Sequence, residues 1–308
     1  MEIASGSAPD SGAHTPATVA TGPVLETMES ASSGRRLRPW YRTNSLITGL
    51  AIIAFMVAIA ILAPLITPYN PVEQDLLHTL QGPSAAHWLG TDKLGQDVLS
   101  RILYGARVDL RVAFLAVLIP FAFGTVLGAI AGYLGGWVDA VIMRVVDVFY
   151  AFPLYVLVIA LVFVLGPGER SIYISIALVS WVAYCKIVRG EVIVARQQEY
   201  VQAARLGGLS HARVLVRHIG RNVLGQAVVY AMSDIVLDIM VIVTLGYLGL
   251  GIVPPTPEWG GMISDAQEFI TTLWWMAVLP GVAVVITGVG LSLVGDGLAE
   301  LLSPERRQ

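Results

Sequence analysis

The stretch EYVQAARLGGLSHARVLVRHIGRN, residues 199–222, is the longest charged interruption in a strongly apolar chain. Apolar runs flank it on both sides. Ala203 and Ala204 carry almost no side chain, so another surface could approach the backbone closely there. Gly207 and Gly208 are expected to end a first short helix, because glycine takes the left-handed conformation at low cost. Ser210 is expected to cap a second helix by accepting a backbone N–H bond. Arg205, Arg213, Arg217 and His218 supply polar contacts, and no catalytic constellation is present. A water-facing helical hairpin between two membrane spans is suited to touching another protein. The plainer reading, a basic loop held near anionic lipids, remains open at this level.

The composition supports the membrane setting. Of 308 residues 56% are hydrophobic and only 13% charged, where a soluble domain usually carries about 25% charged residues. The mean hydropathy of +0.71 points the same way. A net charge of −3 argues against a nucleic-acid partner. The single cysteine, Cys185, lies in an apolar run and reads as a small buried hydrophobe, and no intrachain disulfide is possible. Residues 1–44 open with 34 positions rich in Ser, Ala, Thr, Gly and Pro that cannot bury enough surface to fold alone. No apolar core precedes residue 45, so a cytoplasmic tail is expected rather than a signal peptide.

A span needs about 20 apolar residues. Six are expected, near 45–66, 110–134, 138–165, 172–194, 224–247 and 273–298, the third broken near Pro153, whose ring removes a backbone bond. This divides the chain into the tail 1–44, a first span with an external loop over 45–109, and a five-helix core over 110–303 that contains the hairpin 199–222. Orientation follows from arginine placement. The tail, the C-terminus with Arg306 and Arg307, and the region holding Lys186, Arg189, Arg196, Arg205, Arg213, Arg217 and Arg221 fall on one side, taken as cytoplasmic. Arg101, Arg107 and Arg111 conflict with this, because they stand before the second span on the external side. In the external loop Gly90, Asp92 and Gly95 signal turns, and residues 98–104 read as a short amphipathic helix.

The hairpin resembles the coupling motif of ABC-importer permeases, whose peptide-transporter form reads YVEAARALGAS…RHILPN. The resemblance extends to HWLGTDKLGQDVLSRILYGAR at 87–107, LGYLGLG at 245–251, PPTPEWG at 254–260 and GDGL at 295–298, in one order over roughly residues 40–303. That ordered set is similar to the C-type permeases of the peptide/nickel subgroup. Gln202 replaces the motif's Glu, Gly220-Arg221 its Leu-Pro, Gly246-Tyr247 a Ser-Phe, and Ile242 an acid common there. Glutamine keeps the size but loses the charge, so docking at 202 would rest on shape.

The resemblance implies an all-α polytopic fold, the type I importer permease, in the bacterial inner membrane with both termini cytoplasmic. It implies a homologous second permease subunit completing the pore, two ATP-binding subunits, an extracytoplasmic substrate-binding protein and the lipid bilayer as partners, with no cofactor and no metal in this chain. On that reading Tyr200, Gln202, Ala203, Ala204, Arg205, Gly208, Ser210 and Arg217 contact the ATPase, and Gly90, Asp92, Gly95 and Asp97 are candidates for contact with the binding protein. No G-x-x-x-x-G-K-[ST] occurs, so energy must come from a partner.

Charges within the spans are candidate pore or gating groups. Arg144 and Asp147, three apart, can pair on one helical face. Asp139 reads as a solvated residue at the cytoplasmic end. Asp234 and Asp238, four apart with no basic residue in their span, are expected to face a water-filled path or another subunit. They are also the only support for a rival reading, an ion-driven secondary transporter, and no internal inverted repeat accompanies them. An integral membrane enzyme is disfavoured, since neither H-E-x-x-H nor G-x-S-x-G occurs. Peptides, nickel chelates and haem remain open as cargo.

Overall fold

The computed structural model describes residues 40–302. Most of the expected tail, and Arg306 and Arg307, lie outside the described residues. The described chain is helical: α1 Trp40–Ile66, α2 Val98–Leu134, α3 Gly136–Tyr150, α4 Leu154–Leu165, α5 Glu169–Ala195, α6 Glu199–Leu206, α7 His211–Tyr247, α8 Trp259–Ala266 and α9 Trp275–Leu302. Five of these are long and apolar enough to cross a membrane, and the pair α3–α4 makes six if it counts as one span.

Three differences from the sequence reading have local causes. The amphipathic helix expected over 98–104 is the first part of α2, because Asp97 caps a single 37-residue helix by accepting from the Ser100 N–H at 2.8 Å. At 1.5 Å per residue that helix is about 55 Å long, well beyond the roughly 30 Å of a bilayer core. The second helix of the hairpin is likewise no separate element, since α7 runs from His211 through a π-helical stretch, Val214–Ile219, into the fifth span. The break at Pro153 is a bend of 81° between α3 and α4, sharper than a kink.

The most extensive helix contact joins α2 to α5. Gly124, Gly128 and Gly132 face the carbonyls of Trp181, Cys185 and Arg189, each series rising by four residues. A Cβ on Gly124 or Gly128 would strike the facing carbonyl oxygen, and one on Gly132 would stand 2.7 Å from it. The G-x-x-x-G visible in the sequence thus has α5 as its partner, and small residues let the two backbones touch. Gly290 of α9 receives α1 in the same way, a Cβ there lying 2.7 Å from Ile52 Cγ2. Around these seams lies one extended apolar core that includes Val112, Ile176, Tyr184, Ile239 and Ile242.

Gly128→Leu should therefore cost at least the 1–3 kcal/mol typical of overpacking. It should lower the melting temperature of the detergent-solubilised protein in a fluorescence size-exclusion assay. Gly281→Ala, where an added Cβ meets nothing within 4 Å, should melt at or above the parent.

Candidate coupling surface and polar groups of the spans

The hairpin is anchored from within and open outward. Val201 of α6 is fully buried among Val188 and Val192 of α5 and Val214, Ile219, Val223 and Ala227 of α7. Around Val201, the residues Gln202, Ala203, Arg205 and Gly208 are all exposed, with Ala204 half-buried. Leu206, at 90% exposure, and Val216, at 75%, are apolar groups left in the open beside them. Tyr200, Ser210 and Arg217 are exposed as well. All eight residues named from the motif therefore belong to one small structural unit.

Its details amend the sequence reading. Of the two glycines only Gly208 is left-handed, with φ +80°, whereas Gly207 sits at −70°. The Ser210 hydroxyl makes no capping bond, and its carbonyl accepts from Val214 N–H at 3.0 Å. Gln202 Nε2 donates to the Gln197 carbonyl at 3.0 Å, a bond that an ionised glutamate could not make. Asn222 Nδ2 donates to the Tyr200 hydroxyl at 3.0 Å and ties the two ends of the hairpin together. Gly220, where the motif has Leu, closes the π-helical stretch by donating to the Leu215 carbonyl.

The charges of the spans are arranged differently from expectation. Asp139 is not merely solvated: both its oxygens accept from Arg189, at 2.5 and 2.6 Å, in a bidentate pair between α3 and α5. The structure shows no ion pair between Arg144 and Asp147. Asp147 instead lies 4.0 Å from Lys186 Nζ, and that ammonium sits 3.6 Å over the Tyr150 ring. Asp234 and Asp238 are 3% and 2% exposed, so they are inside the chain and not on an open wall. The Tyr184 hydroxyl donates to Asp234 Oδ2 at 2.8 Å, whereas Asp238 Oδ2 has no partner among the described residues. Asp234 borders a cavity of about 300 Å³ whose far wall is Phe149, Tyr150 and Phe152, at the bend between α3 and α4.

The candidates for contact with the binding protein are buried or half-buried. Asp92 Oδ1 accepts from the Leu94 and Gln96 N–H groups, and its Oδ2 lies 3.4 Å from Arg101. Burial nevertheless raises its pKa, outweighing those contacts. Asp97 caps α2 and meets His87 Nδ1 at 2.9 Å. Gly90 and Gly95 have φ of +77° and +74°, and an added Cβ would collide with the Gln81 and Asp75 carbonyls. These four residues shape the 67–97 loop from inside. Its exposed apolar groups include Leu76, Leu77 and Trp88. The arginines before the second expected span are largely accounted for too, since Arg101 pairs with Asp92 and Arg111 with Glu169 at 2.8 Å.

Glu258 was not singled out from the sequence. It is buried, caps α8 by accepting from the Gly260 and Gly261 N–H groups, and packs on Gly246, where any Cβ would overlap its carboxylate. The next residue, Trp259, donates its backbone N–H to Asp109 and its indole N–H to the Ile102 carbonyl. The signal was the pairing of LGYLGLG with PEWG, which this packing joins. Burial pushes the Glu258 pKa from the usual 4.5 to about 7.

A polytopic helical protein with an exposed helical hairpin seated on two of its spans has the form of a transport permease. Residues 124–308 match the family of inner membrane components of binding-protein-dependent transport systems. Residues 39–83 match the N-terminal transmembrane domain of oligopeptide transport permease C. The dipeptide transport system permease protein DppC of Alkalihalophilus pseudofirmus is 42% identical over 261 residues, 85% of this chain and 86% of that protein. The nickel transport system permease protein NikC of Escherichia coli K12 is 41% identical over 255 residues, 83% and 92% of the two chains. The probable D,D-dipeptide permease DdpC of the same strain is 39% identical over 259 residues, 84% and 87%. The chain belongs to the family of binding-protein-dependent importer permeases and is a multi-pass membrane protein.

Because the folded pKa of Glu258 is raised, the folded state holds a proton that the unfolded chain gives up earlier. Stability is then greatest below about pH 4.5 and falls as pH rises to about 7, by up to about 3 kcal/mol. Glu258→Gln, which keeps an acceptor for the cap, should flatten melting temperature against pH between 5 and 7.5.

Proposed function

We propose that this chain forms half of the translocation pore of an ATP-driven importer of dipeptides or short oligopeptides, together with a homologous second permease. Two ATPase subunits grip the hairpin 199–222 through Ala203, Ala204, Gly208 and the residues around them, and an extracytoplasmic binding protein delivers the cargo. The observation that carries the reading is the hairpin itself: a small-residue face with Leu206 and Val216 bare, on a base locked by Val201. The arginine distribution supports a cytoplasmic side for it. The dipeptide relatives favour peptides as cargo, and NikC keeps nickel as the second substrate to assay.

In this mechanism ATP acts through the partner's two states, which favour two arrangements of the pore. The hairpin is stiff and α7 is continuous with it, so displacement of the docking face is delivered along that helix to Asp234 and Asp238. Those acids, with Arg144 and Asp147, are the pore or gating groups. The external loop, framed by Gly90, Asp92, Gly95 and Asp97, presents Leu76, Leu77 and Trp88 to the binding protein.

The test is reconstituted transport by the whole complex. Ala203→Arg places a charge at the centre of the docking face, and Gly208→Val forces a β-branched residue into left-handed backbone. Each should cut dipeptide uptake by about tenfold or more, as central interface lesions do, with membrane insertion unchanged. Uptake surviving both would remove the hairpin as the coupling surface. Asp234→Asn with Asp238→Asn should slow uptake while assembly persists, and wild-type rates would end the gating role.

A further inference from the structure

Between α1 and α2 the chain leaves a groove of about 450 Å³. Val57, Ala60 and Ile61 line it from α1, Leu110 and Phe114 from α2, and Ile235 of α7 closes its floor. At one end stand Arg107 and Arg111, four residues apart on α2 and so on one helical face. Arg111 is held by Glu169. Arg107 is exposed and makes no hydrogen bond or ion pair to any described residue. It belongs to the arginine group that runs against the positive-inside pattern, and it is the member that Asp92 and Glu169 do not neutralise.

The level of these groups matters. On the span expected from the sequence, 110–134, Arg107 and Arg111 stand at the membrane boundary. The groove descends from them toward Ile53 and Phe114, inside the hydrocarbon. A ligand filling this shape has an anionic head and an apolar chain. Phosphate oxygens suit a guanidinium at a desolvated boundary, where hydrogen bonds to charged groups are strongest. A partner helix would have to bring an acid to this level, and a soluble phosphate would leave the groove unfilled.

We propose that this groove binds an anionic phospholipid, the phosphate on Arg107 and Arg111 and one acyl chain between α1 and α2. The bound lipid fills the seam that separates the first span from the core and supplies the counter-charge that Arg107 lacks. The orientation proposed above places it in the outer leaflet.

The test uses the assembled importer in nanodiscs, with dipeptide uptake recorded in parallel so that a failed permease assignment is distinguished from a failed lipid site. Native mass spectrometry compares retention of phosphatidylglycerol with phosphatidylcholine after gentle delipidation. Phosphatidylglycerol should be retained about fivefold over phosphatidylcholine for each arginine engaged. Arg107→Gln should cut that preference about fivefold, Arg107→Lys should keep most of it, and Ala60→Phe should expel the chain and lower retention of both lipids. Equal retention of the two lipids by the wild type, or full competition by inorganic phosphate, would overturn the proposal. So would a cysteine at Val57 that cross-links efficiently to the second permease, because the groove would then be a subunit interface.

Discussion

The backbone contact of α2 with α5 is the constraint on which the rest of the permease rests. Three glycines at a four-residue period meet three carbonyls at the same period. Lipid chains compete with any apolar surface for contact, so association in a bilayer depends on close packing and polar bonds more than on hydrophobic burial. Once that seam is formed, its two ends are set. At one end Arg196 reaches the Gly132 carbonyl at 3.0 Å, and Arg189, two helical turns back, clasps Asp139. At the other, Arg111 meets Glu169. The seam also fixes Val188 and Val192, the floor on which Val201 seats the hairpin.

That chain of contacts makes the hairpin a braced element and not a free loop. Its first helix is pinned by one buried valine, its second is the beginning of α7, and a Tyr200–Asn222 bond closes the base. From His211 to Tyr247 the helix runs about 55 Å. Its far end is clamped in turn, because Gly246 lies under Glu258 and Trp259 is bonded to Asp109 of α2. One helix thus joins the hairpin, past two buried acids, to the unit built around Glu258 and Trp259. The π-helical stretch at 214–219 is the one irregular place on that path, and Gly220 closes it without a side chain to crowd the Leu215 carbonyl.

The membrane class, the spans and the hairpin were legible because each is carried by local pattern: apolar runs of span length, small residues and a glycine turn. What escaped was pairing across distant segments. Asp139 looks solvated in sequence because its partner, Arg189, is 50 residues away. Arg144 and Asp147 look like a pair because helical spacing allows it, yet Lys186 on another helix approaches Asp147 instead. Asp92 and Asp97 look like exposed loop acids, although the turns they sit in consume their oxygens. Glu258 gave no periodic signal at all, and its role depends on a glycine twelve positions earlier in a different motif.

Asp234 and Asp238 show how far a buried charge constrains the fold. A carboxylate in the hydrocarbon region costs about 2.5–3.5 kcal/mol even on the mildest insertion scales. One hydroxyl, from Tyr184, meets Asp234, and Asp238 keeps an oxygen without a partner among the described residues. Tyr184 is itself wedged edge-on between Phe121 and Tyr230, so it cannot turn away. The adjoining cavity is bounded by the 81° bend of α3 and α4, and irregular backbone at membrane depth persists only where protein or water satisfies its polar groups. The bend therefore bounds a largely apolar pocket into which Asp234, Ser180 and the tyrosines bring the polar groups.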